Sequence, residues 1–124
     1  MPNLRVLLVD DEEELVSALR ERLELRNIDA EYALNGAQAI SLVKDRKFDV
    51  AIIDVMMPEM NGLEVLAKMK QFCPALKVIL LTGRGDEKES RESRRIGASD
   101  YIIKPVNIDT LIEKMKKAVG ETNE

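Results

Sequence analysis

Residues 50–53, Val-Ala-Ile-Ile, form an unbroken apolar run that ends on a carboxylate, Asp54. A strand with no polar side is buried on both faces, as is a central strand in a parallel sheet covered by helices. The run therefore demands strands beside it and helical layers above and below. The next residues are equally constrained. Met57-Pro58 forces extended backbone, because the Pro58 ring disfavours the α region for the residue before it. Asn61 is a helix cap by residue type, and Gly62 offers freedom to turn into that helix. An acid at the tip of a buried strand, held by a rigid loop, is placed for chemistry. A strand that merely had to stop would do so equally well with Gly, Asn or Ser.

The rest of the chain repeats the alternation. Residues 4–9 read as a first strand, and Asp10 and Asp11 end it. Asp11 is a candidate cap for a helix over residues 12–26, where Leu15, Val16, Leu19 and Leu23 recur at helical spacing. Glu12, Glu13 and Glu14 suit the positive end of that helix. Ile28, Ala30 and Tyr32 alternate with Asp29 and Glu31, the pattern of a half-exposed edge strand. Asn35-Gly36 turns into a helix with Ala37, Ile40 and Val43 inward, and the helix after Gly62 carries Leu63, Leu66 and Met69 until Pro74 breaks it. Residues 78–81 are a fourth strand, ending in Thr82-Gly83. Residues 86–96 have Ile96 as their only large apolar residue, so this helix leans on pairs such as Glu87 with Arg91, worth about 0.2–0.5 kcal/mol each, and is expected to be the least firmly held. Gly97 ends it, residues 101–103 are the last strand, and Ile108, Leu111, Ile112, Met115 and Val119 mark a final helix. Five strand–helix alternations with short connections read as one domain, residues 1–124, a doubly wound parallel α/β fold.

Composition narrows the function. The net charge of −4 and pI of about 5.0 argue against nucleic acid or an anionic membrane as partner. No apolar run is long enough to span a bilayer, and Asp10 and Asp11 interrupt what could have been a signal peptide, so a cytoplasmic home is expected. Cys73 is alone, which excludes an internal disulfide and a cysteine metal cluster. There is no histidine, which excludes Ser-His-Asp triads and His–zinc sites.

In a doubly wound sheet all strands point one way, and ligands bind outside their carboxyl ends. Asp10-Asp11, Asp54, Thr82 and Lys104 each follow or end a strand, so all fall on one rim. Three carboxylates brought together repel one another, and a hard divalent cation relieves the repulsion. Oxygen ligands without His or Cys point to Mg²⁺, with Mn²⁺ the other candidate. Lys104 supplies a mobile positive charge and Thr82 a hydroxyl, both suited to phosphoryl oxygens. The guest such a cage fits is a phosphoryl group on one of its own carboxylates.

With these motifs in order, the chain resembles the receiver domain of bacterial two-component response regulators, chemotaxis-regulator-like, over essentially its whole length. The resemblance rests on Val9-Asp10-Asp11, on Asp54 with Met56-Met57-Pro58 and Asn61-Gly62, on Thr82-Gly83, and on Tyr101 with Lys104-Pro105. It implies the flavodoxin-like strand order 2-1-3-4-5 with five helices. It implies that Asp54 is the phosphoacceptor, that Asp11, Asp54 and the Met56 carbonyl hold Mg²⁺ directly, and that Asp10 acts through water. Lys104 pairs with Asp54 and then with the phosphoryl group, and its peptide bond to Pro105 is cis in the family. Thr82 and Tyr101 move as a switch that reshapes the fourth helix, last strand and final helix. Met56 and Arg84 occupy positions that tune phosphoryl lifetime in the family. The implied partners are a sensor histidine kinase or phosphotransfer protein, and a downstream effector or fused output domain. The winged-helix subfamily usually carries Glu and Arg where this chain has Thr110 and Lys114, so a monomer or a weak phosphorylation-dependent dimer is expected. The domain would catalyse its own phosphoryl transfer and dephosphorylation, with no turnover of an external substrate.

Taken singly, each residue has a plainer reading: Asp10 and Asp11 as helix caps, Thr82 as turn chemistry, Lys104 as a surface lysine, Tyr101 as a strand aromatic. Tyr32 is structural, the methionines are core filler, and Cys73 is an inert thiol. What sets the plain readings aside is convergence on one rim. A phosphorylation-silent docking receiver is the nearest alternative. A hydrolase of the haloacid-dehalogenase type needs a second Asp where Met56 stands, and a flavin or nucleotide binder needs a Gly/Ser/Thr-rich loop where residues 10–14 are acidic.

Overall fold

The chain alternates strand and helix five times: β1 (Arg5–Val9), α1 (Glu13–Glu24), β2 (Asp29–Ala33), α2 (Gly36–Asp45), β3 (Val50–Asp54), α3 (Gly62–Phe72), β4 (Lys77–Thr82), α4 (Glu87–Ile96), β5 (Asp100–Ile103) and α5 (Ile108–Ala118). The structure is a computed structural model. It describes residues 4–83 and 87–120, the side chains of Glu87 and Glu89 excepted. All strands are parallel, in the order β2-β1-β3-β4-β5, the order the resemblance implies.

Strand pleating sorts the core into two layers. Leu7, Val9, Ala51, Ile53, Val78 and Leu80 face α2 and α3, whose Ala39, Val43, Val65, Leu66 and Met69 close over them. Val6, Leu8, Val50, Ile52, Ile79 and Leu81 face the other way, onto Val16 and Leu23 of α1 and Leu111 and Met115 of α5. Every residue of β3 is buried, as a strand with helices on both faces requires. Each fully buried Leu or Met contributes about 1.5–3 kcal/mol relative to exposure, so the two layers dominate the stability.

The helix faces differ from the sequence expectation in detail. In α1, Val16 and Leu23 are buried, but Leu15 is 48% exposed. In α2 the inward residues are Gly36, Ala39 and Val43, while Ala37 is exposed. In α3, Val65 joins Leu66 and Met69 inside, and Leu63 is half-buried. Apolar spacing allows several rotations of a helix about its axis, and the crossover that seats it on the sheet selects one. Helix α1 runs Glu13–Glu24, shorter at both ends than expected. The residue at its N-cap is Glu12, not Asp11, and it makes no side-chain cap. Instead the Glu12 N–H donates to Asp10 Oδ1 at 3.0 Å.

Asn35, Asn61 and Asn107 cap α2, α3 and α5 through their side-chain oxygens. Gly97 has φ 126°, and its N–H closes α4 on Ser93 and Arg94 carbonyls. Gly62 does not adopt a positive φ, so its role is space rather than torsional freedom. A Cβ there would lie 2.5 Å from the Asp54 carbonyl oxygen and 2.7 Å from Val55 Cα. Strand β2 lies at the sheet edge as expected, with Ala30 and Ala33 buried and Tyr32 half-buried. Its acids pair with cations from outside the strand: Asp29 with Arg5, and Glu31 with Arg46. The start of the fourth helix at Asp86, the Glu87–Arg91 pair and Arg84 lie outside the described residues.

Candidate functional site

Parallel strands deliver their C-terminal residues to one rim, and four neighbouring strands bring the acids and the lysine there. Asp10 follows β1, Asp54 ends β3, Thr82 ends β4, and Lys104 follows β5. One carboxylate oxygen each of Asp10, Asp11 and Asp54 fall within 4.8 Å of one another. Asp10 and Asp54 are buried, 4% exposed each, and Asp11 is open to solvent. The cluster therefore has a floor of two buried acids and a mouth formed by the third.

Lys104 reaches over that floor. Its Nζ lies 3.3 Å from Asp54 Oδ1, 3.6 Å from Asp10 Oδ2 and 4.0 Å from Glu12 Oε1. Burial pushes the Asp54 carboxyl up, the charge of Asp10 pushes it further, and the pull of Lys104 does not cancel them. Burial would lower the Lys104 ammonium, but Asp10 and Asp54 outweigh it and the net shift is upward. One lysine thus serves two or more carboxylates, so negative charge is in excess. Oxygen donors of this charge and spacing fit a hard divalent cation, which would discharge the repulsion that raises Asp54.

Backbone bonds fix the rim. The Val55 N–H donates to the Leu81 carbonyl at 2.9 Å, and the Lys104 N–H to the Thr82 carbonyl at 2.7 Å. The Gly62 N–H closes the loop after β3 onto the Val55 carbonyl at 2.9 Å. Lys104–Pro105 is a cis peptide. Thr82 is buried beside this lattice.

The structure thus gathers Asp10, Asp11, Asp54 and Lys104 by direct approach, with Thr82 joined to Lys104 through a backbone bond and Met56 two residues beyond Asp54. Tyr101 stands apart. It is half-buried against the core layer under α2 and α3, and it lines a surface groove with Ile103, Pro105 and Thr110. Sequence reasoning missed Glu12 as a neighbour of Lys104, although it sits in the acidic run after β1. It also missed that Lys114 is engaged within the chain, bonded to Asp100 at 2.9 Å. Tyr32 donates its hydroxyl to Glu13, and Cys73 its thiol to the Val43 carbonyl.

With this geometry in place, comparison with known proteins is decisive. The family model "Response regulator receiver domain" matches residues 6–116. The chain belongs to that family. It is 38% identical over 112 residues to the transcriptional regulatory protein CpxR of Escherichia coli, covering 90% of this chain and 47% of that protein. Among solved structures, a CheY-like receiver domain protein from Methanospirillum hungatei superposes with a TM-score of 0.90 at 32% identity, covering 96% of this receiver and 95% of that chain. The Thermotoga maritima response regulator TrrA, solved in complex with Mg²⁺–BeF, gives a TM-score of 0.83 at 33% identity, covering 93% of this receiver and 98% of that chain. The receiver spans about half the length of CpxR. Among its described residues, no helix is long and apolar enough to cross a membrane.

Proposed function

We propose that this receiver is a phosphorylation-dependent switch in which Asp54 accepts a phosphoryl group from the phosphohistidine of a sensor kinase or phosphotransfer protein. The observation that carries the reading is Lys104 Nζ held at 3.3 Å from Asp54 Oδ1 within a cluster of three carboxylates. The cation is Mg²⁺, with Mn²⁺ an acceptable substitute. Asp11, Asp54 and the Met56 carbonyl would hold it directly, and Asp10 would do so through water. Bound there, it supplies charge neutralisation for the acids and for the entering phosphoryl oxygens. The cocrystallised Mg²⁺–BeF of TrrA supports the same assignment here.

The chain's own groups perform the rest. A carboxylate oxygen of Asp54 forms a bond to phosphorus as the bond to the donor's imidazole nitrogen breaks. Burial of Asp54 leaves its oxygen poorly solvated, which favours attack over hydration. Lys104 donates to a phosphoryl oxygen and stabilises the charge that collects there. Thr82 offers its hydroxyl to another oxygen, and Tyr101 follows it inward, so the surface of α4, β5 and α5 changes. Ser93 is the only buried side chain among those described in α4, and its hydroxyl bonds its own helix at the Ser90 carbonyl. So thin an attachment suits an element that must move. An apolar groove of about 550 Å³ beside the site, lined by exposed Leu15 and Pro105 and half-buried Leu19 and Val106, supports a docking face for the kinase. The output is an effector protein or a fused output domain, with the receiver a monomer or a weak phosphorylation-dependent dimer in the cytoplasm.

The test is incubation with acetyl phosphate and Mg²⁺ followed by intact-mass measurement. One phosphoryl group should be gained, lost on chelation or in Asp54→Asn, and labile to hydroxylamine. Equal labelling of wild type and Asp54→Ala would overturn the assignment.

A further inference from the structure

Three thioethers share the loop between β3 and α3, and the fold treats them differently. Met57 and Met60 pack against the core layer under α2 and α3. The Met60 sulfur sits against Gly36, 2.8 Å from where a Cβ would stand. Met69 and Met115 are fully buried. Met56 alone of these is left in water, 72% exposed, two residues from Asp54. It follows Val55, whose N–H and carbonyl are bonded to Leu81 and Gly62 at 2.9 Å each, so its backbone cannot move far from the acid while its side chain gains little from burial. Thioether oxidation follows exposure, and it turns a weak acceptor into a strong polar one.

We propose that the Met56 side chain is a peroxide-sensitive modification site that shortens the life of the phosphoryl group on Asp54. The inference rests on the phosphoacceptor reading of Asp54. In the oxidation step a sulfur lone pair of Met56 attacks one oxygen of hydrogen peroxide. The O–O bond breaks, an S–O bond forms, and the other oxygen leaves as water with both protons. Sulfur loses two electrons and the peroxide gains them. The sulfoxide oxygen then stands at the rim of the site as a strong acceptor for water. Water ordered there attacks phosphorus, the bond to the Asp54 oxygen breaks, and inorganic phosphate and the free carboxylate result.

The experiment treats the full chain with dilute hydrogen peroxide and maps the added oxygen by peptide mass. The phosphoryl group is then loaded from acetyl phosphate with Mg²⁺, and its loss is followed. Met56 should oxidise at least about 3-fold faster than Met57, Met60, Met69 or Met115, as exposure dictates. Loss of phosphate should quicken by about 2-fold or more, return to its former rate after methionine sulfoxide reductase, and ignore peroxide in Met56→Leu. Met57 or Met60 keeping pace with Met56, an unchanged or slower loss after oxidation, or a peroxide response that persists in Met56→Leu each overturns the inference. If the untreated chain never gains a phosphoryl group, the phosphoacceptor reading fails and takes the lifetime effect with it. A normal label indifferent to oxidation overturns this inference alone.

Discussion

Gly62→Ala tests whether the loop after β3 positions the phosphoacceptor through close packing. The backbone torsion of Gly62 suits alanine, and alanine is the better helix former, by at most about 1 kcal/mol, the helix-interior value, since Gly62 is the first residue of α3. On propensity alone the variant would be more stable. The structure reverses the sign. The new Cβ would lie 2.5 Å from the Asp54 carbonyl oxygen and 2.7 Å from Val55 Cα, both backbone atoms that have no rotamer to escape into. Overpacking of this kind costs about 1–3 kcal/mol, and the upper end applies where backbone must yield. Net destabilisation of about 2 kcal/mol is expected once the helix gain is set against it. With an unfolding entropy of about 2.1 cal/mol/K per residue over 124 residues, that lowers the melting temperature by about 8 °C. Ordinary contact begins near 3.4 Å, so the two backbone segments must part by about 0.9 Å. If they share the retreat, Asp54 shifts by about half an ångström, and about a 10-fold slower phosphorylation follows on a scale where about 1 Å costs 100-fold. Urea unfolding and the rate of mass gain from acetyl phosphate read the two effects separately. Gly83→Ala is the control, since its Cβ would meet nothing within 4 Å, and its stability should match wild type. A Gly62→Ala protein with the wild-type midpoint and the wild-type labelling rate would refute the packing argument.

Three further outcomes follow from the charges. Asp54 keeps its proton to a higher pH in the folded chain than in the unfolded one, so it opposes folding as pH rises through its folded pKa. In EDTA, Asp54→Asn should therefore be more stable than wild type at pH 8, with the gap closing toward pH 4 in urea titrations. Burial raises the Asp100 carboxyl, but hydrogen bonds from Lys114 and the Tyr101 N–H outweigh it and the net shift is down, so its stabilisation is present at neutral pH and lost as pH falls through the folded pKa. Lys114→Met should cost about 0.5–1 kcal/mol at pH 7, the scale of a partly exposed pair, and nothing in acid. Millimolar Mg²⁺ should raise the thermal midpoint, by about 2.7 kcal/mol of stability at 100 times the dissociation constant, and Asp11→Asn should abolish most of the gain in differential scanning calorimetry.

Much of this receiver was legible before any coordinates. Apolar runs too short for helices and too continuous for exposed strands leave few options besides a covered parallel sheet, and that sheet forces all strand ends onto one rim. Asp10, Asp54 and Lys104 could therefore be assigned to one neighbourhood from their places in the chain, and they lie within 3.6 Å of the shared ammonium. Periodicity is a local property, set by residues three and four apart, so it located the helices well.

What the tertiary structure alone decided is rotation and approach. Whether Ala37 or Ala39 faced inward, and whether Leu15 was core or surface, depended on how each crossover seats its helix on the twisted sheet. Asp11 looked like the cap of α1, yet the chain turns one residue later and Asp10 takes the hydrogen bond. Gly62 looked like a torsional hinge and is instead a gap filled by the backbone of β3. Distances between atoms remote in the chain obey the packing of the whole molecule, and no window of residues contains that information.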